Sequence, residues 1–489
     1  RNSMNNSSIG RNNFINRFGL WNNEQKSIAK EIIKKIKSLN LEVVRISFPD
    51  QHGILRGKTL LADEISSAFT NGVGMVTTLL AKDTSHKTVF PWFSEGGGLG
   101  MEEMTGGGDF LMIPDPLTFR ILPWAEKTGW MMADIYFPNG NSVPFSTRQI
   151  LRNALHELSD NGYKYVSGLE VEFHLFKLED PKLRPEQAGQ PALPPDVSLL
   201  AHGFQYLTEQ RMDEIDPYLE TLRRHLLDLD LPLRTLEVEF GPSQIEITFN
   251  PCVGLTTADN MVLFRSAVKQ IAHRQGLHAT FMCRPNLPNL FSSGWHLHQS
   301  LINTTDNKNA FMPNNKVEVL SPVGLQFIAG LLKHSNGAAI FTTPTINGYK
   351  RYQPYSLAPD RALWGKDNRG AMLRVISDIS DPATRIENRM GEPAANPYLY
   401  LASQIYSGLD GIKHQYKPST PVDAPYDTDA TPLPRSLEQA ITALKLDKYF
   451  CEKLGEQFIN YIIHIKEAEV NRFLSTVTDW EHKEYFEIF

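Results

Sequence analysis

The stretch Val166-Ser-Gly-Leu-Glu-Val-Glu-Phe-His-Leu-Phe176 carries two glutamates, Glu170 and Glu172, inside a run of apolar residues. Valine, leucine and phenylalanine favour a strand, and residues two apart on a strand point to the same face. Two neighbouring carboxylates on an apolar strand repel each other, which is costly unless a cation binds between them or one is protonated. A solvated strand face is the more frequent outcome for a single pair, so the rest of the chain must decide.

Similar patterns of polar residues recur downstream. Glu239 and Glu246 flank a Gly-Pro turn that returns both carboxylates to one place, and Glu237 competes with Glu239 in the same register. The run 295–300 puts His296, His298 and Ser300 on one strand face. This histidine spacing is frequent among metal ligands, and also among half-buried histidines that only form hydrogen bonds.

Arg385, Glu387 and Arg389 form another triplet on one strand face. Such a triplet is either a cross-strand ion network or a carboxylate ligand between two clamps for phosphate or carboxylate groups. Arginines are concentrated around it: Arg351, Arg369, Arg374, Arg385 and Arg389. This density is unusual for a solvated face and predicts an anionic substrate with several charged oxygens.

The composition is that of a globular protein, with 489 residues, 41% hydrophobic and 21% charged. A net charge of -6 argues against non-specific nucleic-acid binding. Three widely spaced cysteines fit neither a disulfide framework nor a zinc motif, so we expect a cytoplasmic protein. The sequence contains no apolar run of 18 residues and no signal-peptide pattern, so we expect no membrane partner.

Three regions are predicted along the chain. Residues 1–23 are expected to be a disordered or artificially added tail, 24–140 a small N-terminal domain, and 141–489 a catalytic domain. Residues 94–108 are predicted to form a long flexible loop. The helical pattern over 206–228 is expected to be interrupted at Pro217.

Together the carboxylates, histidines and arginines predict a site for two divalent cations and a polyphosphate. Mostly oxygen ligands favour Mg²⁺ or Mn²⁺, and two such ions with arginines are typical of phosphoryl transfer from ATP. A G-x-x-x-x-G-K-[ST] motif is absent from the sequence, which excludes a P-loop enzyme.

These motifs resemble those of the glutamine synthetase family and occur in the same order along the chain. The resemblance extends from about residue 40 to the C-terminus. The matching pieces are Gly168–Phe173, Glu239–Glu246, Gly294–Leu301, Asn347–Arg351, Asn368-Arg369, Arg385–Arg389 and Ala395–Leu399. The resemblance implies an α+β protein with a small N-terminal β-grasp domain and a catalytic domain whose curved antiparallel sheet is surrounded by helices. It also implies rings, a dodecamer of two hexamers, with active sites between subunits.

The family's activity implies glutamate, ATP and an amine as substrates, with a γ-glutamyl phosphate intermediate. By motif match, one metal would lie on Glu172, Glu239 and Glu246, and the other on Glu170, His296 and Glu387. His298, Arg351 and Arg389 would contact glutamate or the transferred phosphoryl group. Arg369, Arg374 and Arg385 would face the ATP phosphates, with Ser300 near the nucleotide.

The departures from the family lie on the substrate side. Ahead of the H-x-H strand, Phe291-Ser292 replaces the family's Asn-Gly pair, which bears on how the α-groups of the amino acid are held. Ammonia-using members carry a flap glutamate, and the aligned run Pro354-Tyr-Ser-Leu-Ala-Pro359 has Leu357 in its place. The second ammonium-site carboxylate is not recognisable, and Glu95 is its nearest equivalent. The runs 356–365 and 389–393 are more similar to ligases that join glutamate to anilines, isopropylamine or polyamines.

We therefore expect an ATP-dependent ligase that joins glutamate to an organic amine in amine catabolism. Leu357, Trp364 and the aromatic segment 90–93 favour an apolar amine such as aniline, although core packing explains the aromatic residues equally well. Two alternatives remain: an ordinary glutamine synthetase that uses ammonia, and a catalytically inactive structural relative. The second is disfavoured because the metal-ligand and arginine positions of the motifs are all filled.

Overall fold

The structure is a computed structural model that describes residues 13–489. The helices are α1 Phe14–Arg17, α2 Asn23–Ser38, α3 Ile65–Asn71, α4 Thr147–Asp160, α5 Glu209–Asp228, α6 Thr256–Arg274, α7 Pro322–Lys333, α8 Ser335–Thr342, α9 Pro397–Lys413, α10 Leu437–Leu446, α11 Lys448–Leu454, α12 Glu456–Leu474 and α13 Asp479–Tyr485. The strands are β1 Val43–Pro49, β2 Leu55–Leu61, β3 Val73–Val76, β4 Asp109–Pro114, β5 Arg120–Ile121, β6 Thr128–Tyr136, β7 Tyr163–Leu178, β8 Val197–Leu199, β9 Leu233–Val238, β10 Gln244–Phe249, β11 Cys252–Val253, β12 Leu277–Thr280, β13 Trp295–Asn303, β14 Trp364–Lys366, β15 Leu373–Ile376 and β16 Arg385–Gly391.

The first sheet contains β1 to β6 in the order β2-β1-β6-β4-β3, with β5 on β6. Strands β1 and β2 form an antiparallel hairpin, while β1 and β6 run parallel. Val44, Ile46 and Phe48 alternate along β1 and are buried, as the period of a half-buried strand requires. The predicted domain boundary near residue 140 stays a prediction.

The predicted tail over residues 1–23 is too long. Residues 1–12 lie outside the described residues, but Phe14 and Ile15 in α1 are buried. The indole nitrogen of Trp21 donates to the carbonyl of Pro114, 2.9 Å away. The segment from residue 13 is therefore packed on the first sheet, because its aromatic and aliphatic residues bury apolar surface there.

The second sheet is built around β7, which contains the stretch that opened the sequence analysis. Its order is β14-β15-β16-β13-β7-β10-β9, with β8, β11 and β12 also pairing with β7. The pairs are antiparallel except β14–β15. The two sheets and their helices confirm the predicted α+β class.

One face of β7 supplies the core, and the opposite face carries the polar groups. Leu169, Val171 and Phe173 are buried, and the Phe173 ring stacks on Phe281 with centroids 5.1 Å apart. Phe264 from α6 meets Phe173 edge-on at 6.0 Å. This packing fixes the strand's orientation, so Glu170 and Glu172 must share the other face.

Helix α9 lies beneath the sheet and is buried almost all round. It approaches α7 closely, since a Cβ at Gly330 would lie 1.9 Å from the Ser407 carbonyl oxygen. A Cβ at Gly411 would lie equally close to the Gln326 carbonyl oxygen. Only glycine allows the two backbones to come this near.

The predicted interruption at Pro217 is wrong, because α5 runs continuously through it. The ring of Pro217 is exposed, and so is Asp213, whose carbonyl loses its helical partner. Water satisfies such a carbonyl on an exposed face, so the helix continues. None of the helices within residues 13–489 combines the length and the apolar character needed to span a membrane.

His334, at the junction of α7 and α8, gives the fold a pH dependence. Its two ring nitrogens lie 2.7 Å from Asp447 and 2.6 Å from Asp410. Burial opposes the charged ring, but the two carboxylates outweigh it and raise the pKa of His334 above its usual value. The stabilisation is complete below about pH 6.5, the unfolded value, and is lost as pH rises through the folded pKa.

We therefore expect the free energy of unfolding to fall as pH rises above about 6.5. His334→Gln should make this slope shallower by removing the contribution of one proton, measured by denaturant unfolding between pH 6 and 9. His156→Gln is the matched control, because that histidine is exposed and lies 3.7 Å from Asp160. An unchanged slope in His334→Gln would contradict the assignment.

Candidate active site

The strand register of the second sheet brings the predicted acidic residues together. Glu172 on β7 lies opposite Glu246 on β10, and Glu246 lies opposite Glu237 on β9. On the other side of β7, Glu170 lies opposite His296 on β13. The pleat makes this arrangement obligatory, because residues paired across antiparallel strands share a face.

A first cluster contains Glu172, Glu239 and Glu246, whose oxygens lie within 4.8 Å of one another. Burial and the charge of Glu172 raise the pKa of Glu239 to about 8. Burial, a contact with Glu237 and the neighbouring charges raise the pKa of Glu246 well above its usual range. Glu239 belongs to this cluster, while Glu237 lies beside it, against Glu246.

A second cluster surrounds Glu170. Nδ1 of His296 lies 3.6 Å from Glu170 Oε1 and 3.2 Å from Glu387 Oε1. Within residues 13–489 this nitrogen is buried without a hydrogen-bond partner. Burial opposes a charge on His296, but the two carboxylates raise its pKa to about 9.

Both clusters fit a divalent cation. The first cluster gathers three carboxylates whose mutual repulsion opposes ionisation of all three. Around Glu170, two sets of three possible ligands lie close together, Glu170-Glu246-His296 and Glu170-His298-Glu387, and each contains only part of the predicted set Glu170, His296 and Glu387. Oxygen donors with a single histidine are the ligands that suit Mg²⁺ or Mn²⁺.

His298 is held in one tautomer. Arg385 can only donate, and its Nε lies 2.9 Å from His298 Nδ1, so Nδ1 is the acceptor. Nε2 therefore carries the proton, which it donates to Glu170 Oε2 at 2.7 Å. These two bonds orient the imidazole at the boundary between the second cluster and the adjoining cavity.

Glu387 is the hub of the second cluster and is completely buried. It accepts from Arg389 at 2.9 Å through Oε1 and from Arg374 at 3.1 Å through Oε2. Nearby positive charge, including that of His296, overcomes the effect of burial and holds the pKa of Glu387 below its usual range. The carboxylate therefore stays ionised and orders three cationic side chains around it.

A cavity of about 460 Å³ opens beside this hub. It gathers the side chains predicted to face the nucleotide phosphates, and it also contains Glu170, Glu237 and Glu246. Its basic and hydroxyl-bearing lining residues are Arg234, Arg369, Arg374, Arg385, His298, Ser167, Ser300, Thr235 and Thr248. Arg234 and the two threonines were not predicted from the sequence. Thr235 could have been, because it is two residues from Glu237 on β9 and so lies on the same strand face.

Arg351 lies on the other side of the clusters. Its Nη2 donates to the carbonyls of residues 389, 390 and 391 at 3.0, 2.7 and 3.1 Å. A Cβ at Gly294 would lie 3.1 Å from Arg351 Nη1 and 3.3 Å from Glu172 Oε1. Glycine at 294 thus leaves room between the clamp and the first cluster, and its N–H donates to Glu172 Oε1 at 2.6 Å.

Residues 353–360, here called the flap, contain Leu357. Its side chain is 62% exposed and its φ is 59°, a left-handed conformation. Tyr426 donates to the carbonyl of Ala358 at 2.7 Å and anchors the flap. Burial raises the pKa of the Tyr426 hydroxyl, while the charges of Arg389 and Arg351 oppose the shift.

Neither Trp364 nor Glu95 lines the arginine-rich cavity. Trp364 is buried in the core, and its indole nitrogen donates to the Ser419 carbonyl at 2.7 Å. Core packing, the competing explanation, is therefore correct for Trp364. Glu95 is exposed in the segment 94–101 and is not among the residues that line the cavity.

The matching family model and the similar proteins below all belong to the same family. The catalytic-domain model "Glutamine synthetase, catalytic domain" matches residues 144–485. A protein named gamma-glutamylanilide synthase from Acinetobacter sp is 45% identical over 97% of this chain and 99% of its own length. A glutamine synthetase from Methanosarcina mazei is 31% identical over 94% of this chain and 98% of its own.

A solved structure described as a GmaS/ADP complex superposes with a TM-score of 0.76. It is 27% identical and covers 93% of this chain and 99% of its own. The sequence match, the shared fold and the two clusters agree with the resemblance drawn from the motifs. This chain belongs to the glutamine synthetase family.

Proposed function

We propose that this chain uses ATP to join the γ-carboxylate of L-glutamate to an organic amine. The observation that carries the proposal is the placement of two carboxylate clusters and an arginine-lined cavity on one face of one sheet. The 45% identity to a protein named gamma-glutamylanilide synthase supports an organic amine as the second substrate.

In this proposal Mg²⁺ or Mn²⁺ binds at two positions. Glu172, Glu239 and Glu246 would hold one ion, and Glu170, His296 and Glu387 would hold the other. Bound there, the ions would offset the negative charge of the phosphate oxygens. Glu237 would support Glu246 from the next strand, because the two glutamates are paired across β9 and β10.

The arginines divide into two groups by position. Arg369, Arg374 and Arg385 line the cavity and would bind the ATP phosphates, with Ser300 near the nucleotide. Arg351 and Arg389 lie beside the clusters and would hold glutamate and the transferred phosphoryl group. Donors fixed by Glu387 and by backbone carbonyls need no reorganisation as charge develops, which lowers the barrier.

The reaction proceeds in two steps. A γ-carboxylate oxygen of glutamate attacks the terminal phosphorus of ATP, and the bond to the bridging oxygen breaks to release ADP. The amine nitrogen then attacks the γ-carbonyl carbon, the carbon–oxygen bond to phosphate breaks, and the released phosphate takes the amine proton. A carboxylate acylates poorly and an acyl phosphate acylates well, which is why ATP is required.

The acyl phosphate is testable with labelled glutamate. Glutamate carrying ¹⁸O in the γ-carboxylate should transfer one ¹⁸O atom to the released phosphate, as detected by mass spectrometry, with stoichiometric γ-glutamyl amide. Phosphate without label would rule out the intermediate.

Leu357 should favour an uncharged or apolar amine over ammonium. We expect Leu357→Glu to raise the ratio of kcat/KM for ammonium to that for aniline by roughly fivefold, the upper range for one exposed ion pair, and by more if flap closure excludes water. Leu357→Gln is the matched control, with the same length and no charge. An equal shift in both variants would show that charge at this position does not select the amine.

Two other functions remain in view. An ordinary glutamine synthetase would turn over ammonium faster than any organic amine. An inactive relative would bind neither Mg²⁺ nor Mn²⁺ in a calorimetric titration. We also propose that the chain assembles into a dodecamer of two hexameric rings, as expected from its family.

A further inference from the structure

Three phenyl rings form an exposed edge next to the first carboxylate cluster. Phe204 and Phe240 meet edge-on with centroids 5.2 Å apart, and Phe240 meets Phe291 in the same way at 5.1 Å. Phe204 is 51% exposed, Phe240 is 39% exposed, and Phe291 is half-buried. Contiguous exposed aromatic surface of this kind marks a binding site when it adjoins reactive groups.

The aromatic edge is attached directly to the cluster. Phe240 follows Glu239, and its N–H donates to Glu239 Oε2 at 3.1 Å. The carbonyls of Phe291 and Ser292 accept from Gln244 Nε2 at 3.5 and 3.0 Å, which joins the loop before β13 to the start of β10. Whatever lies against these rings therefore lies beside the glutamates.

The segment 200–207 holds Phe204 in place. The N–H of Phe204 donates to the Phe240 carbonyl at 2.7 Å, and the N–H of Leu207 donates to the Val238 carbonyl at 3.3 Å. Both residues have left-handed backbones, with φ of 68° and 58°. Such conformations persist only where the surroundings fix them, and they concentrate at functional sites.

Tyr206 lies between these two residues, and its side chain is 53% exposed. The backbone hydrogen bonds from Phe204 to Phe240 and from Leu207 to Val238 hold the segment against the end of β9 and the turn that carries Glu239.

We propose that Phe204, Phe240 and Phe291 form the wall that binds the ring of an arylamine in its neutral form. This inference rests on the ligase function proposed above and specifies its amine. An arylamine nitrogen is uncharged at neutral pH because its lone pair is delocalised into the ring. It needs no counter-charge, which agrees with Leu357 on the flap, and edge-to-face contacts with the wall orient its ring.

The wall would place the amine beside the first cluster for the second step. A ring held against Phe240 would lie next to Glu239, because the Phe240 N–H donates to Glu239 Oε2. The new nitrogen–carbon bond forms as the carbon–oxygen bond to phosphate breaks, and the nitrogen passes one proton to the released phosphate. A primary alkylamine would first have to lose an additional proton, because it is a cation at neutral pH.

The test uses Phe240→Leu, Phe291→Leu and the double variant in the full-length protein. We expect KM for aniline to rise about three- to tenfold in each single variant and further in the double variant. The rate with hydroxylamine, a small nucleophile, should stay within about twofold in every variant, and KM for glutamate should stay within about twofold in Phe240→Leu. Phe240→Tyr keeps the ring, so its KM for aniline should stay close to that of the unaltered protein.

Tyr218→Leu is the matched control, since Tyr218 is an aromatic residue of α5 with similar exposure. An unchanged KM for aniline in the double variant, or equal losses with aniline and hydroxylamine, would overturn the aryl wall while leaving the ligase function intact. Absence of ADP release by the unaltered protein with every amine would overturn the proposed function itself.

Discussion

Replacing Glu387 by glutamine is expected to lower kcat/KM for ligation by about 10²- to 10⁴-fold, the kinetic equivalent of ~3–5 kcal/mol for removing one partner of a buried ion network. The change keeps the size of the side chain and removes one negative charge. Arg374 and Arg389 then lose their common carboxylate, since the amide offers one oxygen and an NH2 donor, and His296 loses one of two carboxylates.

The geometry defines a matched control for this variant. Asp367 also accepts from Arg374, through Nε at 3.0 Å and Nη2 at 2.6 Å, but its side chain is 67% exposed. We expect Asp367→Asn to lower kcat/KM by no more than about fivefold, because exposed ion pairs contribute ~0–1 kcal/mol. Comparable losses in the two variants would mean that Glu387 is not the hub.

Replacing Arg148 by methionine is expected to lower the free energy of unfolding by ~3–5 kcal/mol, because it leaves buried carboxylates without their partner. Arg148 is 2% exposed and donates to Asp115 at 2.9 Å, to Asp134 at 3.1 Å and to Asp259 at 2.8 Å. These three carboxylates come from the loop after β4, from β6 and from α6. The Arg148 side chain therefore links two elements of the first sheet to helix α6.

Arg152→Met is the control, since Arg152 reaches only Asp134 in this group and is 36% exposed. Its removal should lower the free energy of unfolding by less than about 1 kcal/mol. Denaturant unfolding at one fixed protein concentration measures both, because assembly makes stability depend on concentration. Equal effects would show that the buried position of Arg148 does not matter.

The acidic clusters were predictable because strand periodicity is local. Once β7 and β13 are recognised as strands, Glu170 and Glu172 must share a face, and so must His296 and His298. Which strands are neighbours did not follow from spacing; it came from the resemblance to a family. The positions of Glu237 and Glu239 also depend on the turn after β9, which carries Glu239 into the first cluster and leaves Glu237 paired across the strands with Glu246.

Other features escaped because they depend on tertiary contacts. The buried role of Arg148 was not predicted, since its partners lie 14, 33 and 111 residues away. Trp364 was assigned to the amine site by its type, but its ring packs into the core. Phe240 contacts Phe204 and Phe291, which are 36 and 51 residues away in the sequence. No local sequence pattern therefore predicts the aromatic wall.

The most direct test of the account is kcat/KM for ADP release with ATP, Mg²⁺ and glutamate across a panel of amines. The panel contains ammonium, methylamine, ethanolamine, putrescine, isopropylamine and aniline. We expect aniline to exceed ammonium by at least about tenfold, since an apolar site without a counter-charge discriminates against the cation. Ammonium as the best substrate would contradict the account, and would mean that another carboxylate replaces the one missing at Leu357.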